Sequence, residues 1–353
     1  MRKDSLSFLQ ALQETPSPSG YEQPVQRIVR KRMKAYADSI ETDVHGNVTV
    51  ALNPKATTRV MLAGHCDQIG LQIRHIDDRG YLYFGAIGGI DPSVLPGLNV
   101  SIHAEGGPVP GVIGRKPIHV MKPEERGAKV ELQNLWIDIG AKNKEEASKT
   151  VRIGDAATFD LKMTRLGDDL AASPAFDNKC GLFVVMEALR LCSTKKLRCG
   201  LFAVSTVQEE IGLRGARTSA HAIDPAVGIA VDVTHATDCP DLDKRQHGDI
   251  KLGGGPVITR GANVNPKLEA LILQTAKQKK IPHQMDGTPG GTPTDANVMQ
   301  LTRSGVATAL ISVPNRYMHT PIEVISLSDL EKTAKLIAET VCQIHSRQKF
   351  IPD

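Results

Sequence analysis

The side chains able to perform chemistry in this sequence are histidines and carboxylates that stand beside apolar segments. They are His65, Asp67, Asp177, Glu209, Glu210, Asp232 and His319. Imidazole nitrogens and carboxylate oxygens are the donors that hold Zn²⁺, and Co²⁺ or Mn²⁺ accept the same kind of set. These residue types are therefore typical of a centre in which divalent metal ions activate water.

Taken one at a time, several of these residues have ordinary structural explanations. An Asp at position 177 is a suitable N-cap for the helix that follows it, and Asp232 is suited to capping a turn. An adjacent pair such as Glu209-Glu210 is usually solvated, and His319 is acceptable as a plain loop residue. A shared function requires that the fold bring all of them to one place.

The apolar segments around these residues predict such a place. Residues 59–63, 201–207, 227–233 and 307–313 are continuous apolar runs, which are typical of buried strands in a mostly parallel sheet. His65, Glu209-Glu210 and His319 follow three of these runs, and Asp232 ends the fourth. Ligands of open α/β sheets bind beyond the carboxyl ends of the strands. The remaining carboxylate, Asp177, opens a buried helix that is predicted at 180–192.

A charge count favours two metal ions. Asp177, Glu210 and Asp232 supply three negative charges and a bridging hydroxide supplies a fourth, which balances two divalent cations. The neutral imidazoles of His65 and His319 complete the set, with Zn²⁺ favoured and Co²⁺ or Mn²⁺ as alternatives.

Two carboxylates are left without a metal. Asp67 is placed to accept the second ring N–H of His65 and so to fix its tautomer. Glu209 is the natural general base, which takes a proton from the metal-bridging water and passes it to the leaving amine. Loops near Asp295 and residues 315–318 are expected to line the substrate pocket, with Asp295 as the candidate substrate-binding residue.

The pattern of the whole chain predicts an α/β fold with a mixed, mostly parallel sheet sandwiched by helices. Short β-rich runs at 71–76, 81–86, 99–103, 111–113 and 156–161 alternate with Gly and Pro clusters, which predicts an inserted small β-barrel at 71–161. The catalytic domain then consists of residues 1–70 and 162–353. A helix is expected at 23–36, and the last helix at 328–345 is expected to begin with a capping box of Ser328 and Glu331.

Composition excludes some classes of function. The chain has 353 residues and a net charge of +4 with its Lys and Arg dispersed, so no nucleic-acid partner is expected. It contains no apolar run of the roughly 18 residues that span a membrane, and its first residues lack the apolar core of a secretory signal. The six cysteines form no CxxC pair and are interpreted as reduced thiols, which predicts a cytoplasmic protein.

Motifs along nearly the whole chain resemble those of the M42 peptidases, a group of dinuclear metallo-aminopeptidases. The group includes glutamyl and tetrahedral aminopeptidases, and some members carry an endoglucanase label. The matching segments are residues 64–70 (GHCDQIG), 88–97 (GGIDPSVLPG), 175–181 (AFDNKCG), 208–216 (QEEIGLRGA), 294–297 (TDAN) and 318–323 (MHTPIE). As an ordered set they are specific for that family.

The resemblance implies a ligand arrangement. One metal is held by His65, Asp177 and Asp232, and a second by Asp177, Glu210 and His319, so that Asp177 bridges the two ions. By the same resemblance Glu209 is the base and Asp67 orients a histidine, the inserted β domain mediates dimerisation, and such dimers assemble into hollow twelve-subunit particles.

Other functions are compatible with parts of this pattern. A dinuclear site also serves deacylases of modified amino acids, because fold alone does not fix the substrate. A glycosidase is disfavoured, since its two carboxylates flank the sugar bond whereas most carboxylates here are committed to metal. A binding protein with an inactive site is disfavoured by the complete ligand set. The preferred N-terminal residue of a peptide substrate is not readable from the sequence.

Overall fold

The computed structural model describes residues 1–352, so that Asp353, the last residue of the predicted catalytic domain, lies outside them. The helices are α1 (Lys3–Glu14), α2 (Gln23–Met33), α3 (Pro123–Arg126), α4 (Lys144–Thr150), α5 (Phe176–Cys192), α6 (Arg214–Ile223), α7 (Lys244–His247), α8 (Pro266–Lys279), α9 (Asp295–Gln300) and α10 (Leu327–Val341). The first nine strands are β1 (Ser39–Thr42), β2 (Val48–Leu52), β3 (Arg59–His65), β4 (Gly70–Ile76), β5 (Leu82–Ile87), β6 (Asn99–Ala104), β7 (Gly107–Gly114), β8 (Trp136–Asp138) and β9 (Ala156–Phe159). The others are β10 (Thr164–Leu166), β11 (Leu170–Ser173), β12 (Gly200–Thr206), β13 (Val227–His235), β14 (Val257–Gly261), β15 (Gln284–Thr288), β16 (Ala307–Asn315) and β17 (Glu323–Ser326).

The predicted α/β architecture is confirmed. Eight strands form one sheet in the order β1-β2-β12-β3-β13-β16-β14-β15. The central strands β12, β3, β13 and β16 pair in parallel, while β2 and β14 join them antiparallel. Because the four parallel strands point the same way, their carboxyl ends lie at one edge of the sheet. These four strands are the apolar runs that the sequence identified.

Helices cover both faces of the sheet. Helix α5 packs on β3, β12 and β13, and α1 and α10 pack against it from outside. Its side chains are buried along nearly the whole length, which explains why the sequence is apolar on most sides of this helix. Helices α6 and α9 cover the opposite face, where Met61, Ala63 and Met299 are buried.

The inserted barrel is present as a closed ring of strands in the order β4-β5-β8-β7-β6-β9. Its interior is filled by aliphatic side chains such as Leu71, Ile73, Val100 and Ile137. Strand β8 was not predicted, because its three residues are too few to show an alternating pattern. The domain boundaries at 70/71 and 161/162 stay a proposal.

The predicted start of the last helix is wrong. Helix α10 begins at Leu327, and its N-cap is Ser326, whose hydroxyl accepts a hydrogen bond from the backbone N–H of Asp329. Strand β17 ends at Ser326 and leads straight into the helix, so the extended residue that a cap requires is already in place. Glu331 forms no capping box and instead pairs with the N-terminal amine of Met1 at 3.0 Å.

The segment between 236 and 306 contains elements that the sequence did not reveal. Strands β14 and β15 extend the sheet beyond β16, helix α8 packs against β14 and β16, and helix α9 packs against β13 and β16. Their apolar residues are mixed with polar ones, because these strands are at the edge of the sheet. None of the helices named above has the length and apolar content needed to cross a membrane.

Gly64 permits the close approach of β3 to α5. A Cβ atom at this position would lie 2.7 Å from the backbone carbon of Gly181 and 2.7 Å from the backbone nitrogen of Leu182. These are backbone atoms, which cannot move aside as a flexible side chain would. The strand and the helix that deliver His65 and Asp177 are therefore held together at a position where only glycine fits.

We expect Gly64→Ala to separate β3 from α5 and to lower the free energy of unfolding by about 1 to 3 kcal/mol, the usual cost of overpacking a tight core. Chemical denaturation followed by circular dichroism measures this loss. Gly106→Ala is the control, because a Cβ atom at Gly106 meets no atom within 4 Å. Equal stability of the two variants would contradict the close-packing argument.

Candidate metal centre

His65 is the last residue of β3, and its ring is almost completely buried, with a relative exposure of 1%. Its Nδ1 lies 3.1 Å from the backbone carbonyl oxygen of Asp67 and 3.4 Å from the Asp67 carboxylate. The carbonyl can only accept, so Nδ1 carries the proton and Nε2 is left free as an electron-pair donor. The expected contact with Asp67 exists, but the backbone oxygen is the nearer acceptor.

The carboxylate of Asp67 has further partners that the sequence did not indicate. It accepts hydrogen bonds from the Ser19 hydroxyl at 2.7 Å and from the backbone N–H groups of Glu209 and Glu210 at 3.0 and 3.2 Å. Asp67 therefore fixes the turn that follows β12 as well as contacting His65. These hydrogen bonds lower the pKa of Asp67 despite its complete burial, with the largest share from His65.

Asp177 occupies the middle of the cluster. Its Oδ1 lies 3.4 Å from Nε2 of His65, and its Oδ2 lies 3.2 Å from Nε2 of His319. The Asp177 side chain does not cap α5: the backbone at Asp177 and Asn178 is not yet helical, and it is Asn178 whose Oδ1 accepts from the backbone N–H of Gly181 at 2.9 Å. The N-cap interpretation of Asp177 is therefore wrong, because this carboxylate points to the two histidines rather than back to its own helix.

His319 reaches the cluster from the loop after β16. It has a left-handed backbone conformation, with φ of 60°, and its Nε2 lies 3.6 Å from Oε2 of Glu210. The pKa of His319 is raised, chiefly by Asp177, and the backbone of Gly89, in the loop that follows barrel strand β5, contributes to this shift. A Cβ atom at Gly89 would lie 3.2 Å from Nδ1 of His319, so a side chain there would crowd the ring.

The remaining two acidic residues approach His65 from neighbouring strands. Asp232 stands in β13 with one oxygen 3.8 Å from Nε2 of His65, and Glu209 after β12 has Oε2 3.6 Å from the same nitrogen. The structure thus brings together His65, Asp177, Glu209, Glu210, Asp232 and His319. The donor atoms form two groups, and within each group all of them lie within 4.8 Å of one another. One group is His65, Asp177 and Glu210, and the other is His65, Glu209 and Asp232.

The electrostatics of this cluster require positive charge. Burial, together with the neighbouring carboxylates, raises the pKa of Glu209 to about 10 and that of Asp232 to about 8. Burial and Asp177 raise the pKa of Glu210 in the same way, and its Oε1 is buried without a hydrogen-bond partner. Nitrogen and oxygen donors crowded at this spacing, with an oxygen that nothing satisfies, fit a site for divalent cations.

Asp295 is not among the residues that line the cavity next to the cluster. It begins α9, is almost completely buried, and accepts a hydrogen bond from the Thr206 hydroxyl at 2.6 Å. The residues of this loop that line the open cavity are Thr292, Pro293 and Thr294. The substrate-binding role of Asp295 stays a prediction, and its observed contact is with the end of β12.

Glu323 is a residue of this site that the sequence did not single out. It is buried, its Oε2 accepts from the backbone N–H of Asp177 at 2.7 Å, and its Oε1 accepts from the backbone N–H of His319 at 3.0 Å. One carboxylate therefore ties together the two segments that carry these side chains. The sequence feature that could have identified Glu323 is a charged residue at the start of the buried strand β17, because charged groups are rarely buried without a partner.

We expect Glu323→Gln to weaken metal binding by about tenfold or more, as loss of a supporting contact behind metal ligands usually does. The amide retains one acceptor oxygen but presents an N–H₂ group to the second backbone N–H. Isothermal titration with Zn²⁺ measures the affinity. Glu339→Gln is the control, because Glu339 pairs with Lys195 and Lys279 far from the cluster. Unchanged zinc affinity in Glu323→Gln would show that Glu323 does not position the ligands.

A cavity of about 740 Å³ opens above the cluster and is lined by the cluster residues together with parts of β13, β14, β15 and β16. It provides space for a small organic substrate beside the candidate metal ligands.

Comparisons with known proteins show the family to which the chain is similar. A model of the M42 glutamyl aminopeptidase family matches residues 46–336. The chain is 40% identical over 326 residues to a lysyl aminopeptidase of Pyrococcus furiosus, with 92% of each chain covered. A TET aminopeptidase from a Thaumarchaeota archaeon of marine sediment superimposes with a TM-score of 0.93 and 33% identity, covering 98% of this chain and 97% of that one.

The TET1 peptidase of Pyrococcus horikoshii, which assembles into a tetrahedron or a large octahedral shell, superimposes with a TM-score of 0.86 and 32% identity over 96% of this chain and all of that one. The resemblance found in the sequence is confirmed. The chain therefore belongs to the M42 family of metal-dependent aminopeptidases, hydrolases that act on peptide bonds.

Proposed function

We propose that this enzyme removes N-terminal residues from peptides with two divalent metal ions, Zn²⁺ foremost and Co²⁺ or Mn²⁺ as alternatives. His65, Asp177 and Asp232 would hold one ion, and Asp177, Glu210 and His319 the other. The observation that carries this proposal is the orientation of Asp177, whose two oxygens each face a different histidine nitrogen, at 3.4 and 3.2 Å. A carboxylate in this orientation is suited to bridge two cations.

The metal ions, when bound, would polarise the scissile carbonyl group and lower the pKa of a water molecule. The residues of the chain supply the rest. The backbone N–H of Glu209 donates to Asp67, and the Glu209 carboxylate faces the cluster, with Oε2 3.6 Å from Nε2 of His65. It would accept the proton of the attacking water and deliver it to the leaving amine. Without metal, burial and the neighbouring carboxylates raise the pKa of Glu209 to about 10. Two bound cations would lower this pKa, so that the Glu209 carboxylate would be ionised and able to accept the proton.

A competing arrangement has Glu209 itself as a ligand, since it lies within donor distance of His65 and Asp232. The five other donors already give three ligands to each ion when Asp177 bridges, and the other nearby carboxylates, Asp67, Asp295 and Glu323, are engaged in hydrogen bonds with Glu209, Thr206 and Asp177. We therefore assign Glu209 the role of general base.

We expect Glu209→Gln to retain two metal ions per subunit while kcat falls roughly 10²-fold or more, because only the proton acceptor is lost. Metal content by mass spectrometry and turnover of aminoacyl-anilides are measured on the same preparation. Glu14→Gln, which alters an exposed carboxylate of α1, is the control. A variant that loses one metal would identify Glu209 as a ligand. A variant that turns over normally would exclude it as the base.

We expect the increase in Tm produced by Zn²⁺ to grow as pH is raised from about 6 to about 8. Burial raises the pKa of Asp232 to about 8, so this ligand is protonated below that pH and the metal must displace its proton. Without metal, the folded-state pKa above the unfolded value means that stability from Asp232 is present at low pH and is lost as pH rises through about 8. Scanning calorimetry with and without Zn²⁺ tests this, with Asp232→Asn as the variant that should flatten the pH dependence. A zinc effect independent of pH would contradict it.

Assembly and location extend the proposal. Because the TET1 relative forms closed shells, we propose that this chain also forms homo-oligomers, with a dimer through the barrel as the building block and twelve subunits as the particle. Size-exclusion chromatography with light scattering measures the subunit number.

A reducing, cytoplasmic location is supported by the free thiols of the six cysteines, which are Cys66, Cys180, Cys192, Cys199, Cys239 and Cys342.

The family and the relatives of this chain are named for different N-terminal residues. The matching family is named for glutamyl residues, whereas the Pyrococcus furiosus relative is named for lysyl residues. Names therefore do not decide which N-terminal residue this chain prefers, and the preference has to come from the cavity itself.

A further inference from the structure

The cavity beside the metal centre extends along the sheet to its outermost strand. Its floor includes Leu310 and Ser312 of β16, Thr259 of β14, and Asp286 and Thr288 of β15. This floor lies between the cluster and the sheet edge, where a substrate side chain would rest if the peptide carbonyl lay at the metal ligands. The residues of this floor are therefore candidates for selecting that side chain.

Strand register places Asp286 at a defined distance from the cluster. Asp232 in β13 is opposite Ser312 in β16, β16 is followed by β14, and Thr259 in β14 is opposite Asp286 in β15. Three strand spacings of roughly 4.8 Å separate β13 from β15, and Asp286 lies two residues along β15 from Gln284, which is in register with Asp232. The backbone of Asp286 is therefore about 16 Å from that of Asp232.

The side chain of Asp286 is directed into the cavity. Along β15, Gln284, Asp286 and Thr288 are half-buried, whereas Met285 and Gly287 between them are exposed. This alternation is that of a strand with one face toward the interior. The described contact of the Asp286 carboxylate is a long hydrogen bond of 3.4 Å from the Thr288 hydroxyl, so most of its hydrogen-bonding capacity faces the open cavity.

The charge of Asp286 is not balanced from within the cavity. No Lys or Arg is among the residues of the 1–352 segment that line it. Arg260, the neighbour of Thr259 in β14, donates to Glu269 at 2.6 Å on the other side of the strand. Outside the candidate metal cluster the only other ionisable lining residue of the described chain is His235, and burial lowers its pKa, so that it is neutral near pH 7.

We propose that Asp286 selects peptides whose N-terminal residue carries a long cationic side chain, Lys or Arg, and thereby sets the substrate class of the enzyme. The inference rests on the aminopeptidase function proposed above. A substrate carbonyl at the cluster leaves a gap to Asp286 that a short side chain does not cross. A lysine stem reaches about 6 Å from its Cα atom, and the Asp286 side chain covers part of the remaining distance. A glutamyl side chain would instead meet a like charge in a partly desolvated cavity, which disfavours it.

The test compares lysine with norleucine, which has the same straight four-carbon stem without the ammonium group. Lysyl-, arginyl-, norleucyl-, leucyl- and glutamyl-anilides are assayed with the metal-loaded wild-type enzyme, Asp286→Asn and Asp286→Lys. We expect wild type to prefer lysyl over norleucyl substrate by roughly tenfold or more in kcat/KM. Asp286→Asn should remove that preference while leaving norleucyl hydrolysis within about twofold, and Asp286→Lys should raise glutamyl relative to lysyl hydrolysis.

Controls separate the role of Asp286 from the aminopeptidase function on which it rests. Glu14→Gln removes an exposed charge away from the cavity and should keep the lysyl preference. Hydrolysis of none of the substrates by the metal-loaded wild type would overturn the proposed aminopeptidase function. Hydrolysis with equal lysyl and norleucyl rates, or a lysyl preference that survives in Asp286→Asn, would overturn only the role of Asp286.

Discussion

Mutual repulsion among buried carboxylates dominates the structure around His65. Asp177, Glu209, Glu210 and Asp232 converge on the ring nitrogens of His65 and His319, and burial raises the pKa of Glu209, Glu210 and Asp232. Such a cluster is costly unless cations or protons neutralise it. The surrounding fold must therefore hold the acids in place against their own repulsion, and the pair of divalent ions that we propose would turn that cost into affinity.

Two further buried carboxylates hold the backbone of the cluster residues in place by accepting hydrogen bonds from their N–H groups. Asp67 accepts from the N–H groups of Glu209 and Glu210, and Glu323 accepts from those of Asp177 and His319. Glu323 joins two chain segments in this way, and Asp67 joins the turn after β12 to the segment of Ser19, from whose hydroxyl it also accepts. Neither carboxylate needs to touch a metal to do so. Because a charged acceptor strengthens a hydrogen bond with a backbone N–H, these contacts are strong enough to position loops that would otherwise be mobile.

The inserted barrel also takes part in the site. Its loop after β5 places Gly88 and Gly89 against Glu210 and His319, where added Cβ atoms would come within 3.2 Å of their side chains. The barrel is therefore joined to the catalytic sheet at the metal cluster itself, in addition to the role in assembly that we propose for it. On the opposite side the cavity runs out to β15, the outermost strand of the sheet, which would provide the wall that meets a substrate side chain in the function proposed above.

The sequence alone determined the strands that deliver the ligands, because continuous apolar runs such as those of β3, β12, β13 and β16 are readable without any long-range information. It also pointed to the histidines and carboxylates at their ends, and the described structure brings six of them together around the two histidine nitrogens. Only the tertiary structure decided the orientation of Asp177, the cap at Ser326, the roles of Glu323 and Asp286, and the existence of β14 and β15. Each of these depends on partners distant in sequence. Asp177 faces His319, and Glu323 accepts from a backbone N–H 146 residues away. The pairing of β16 with β14 and of β14 with β15 places Asp286 at the cavity. Local composition records which side chains are available, whereas the distances between them are set by packing, and chemistry depends on those distances.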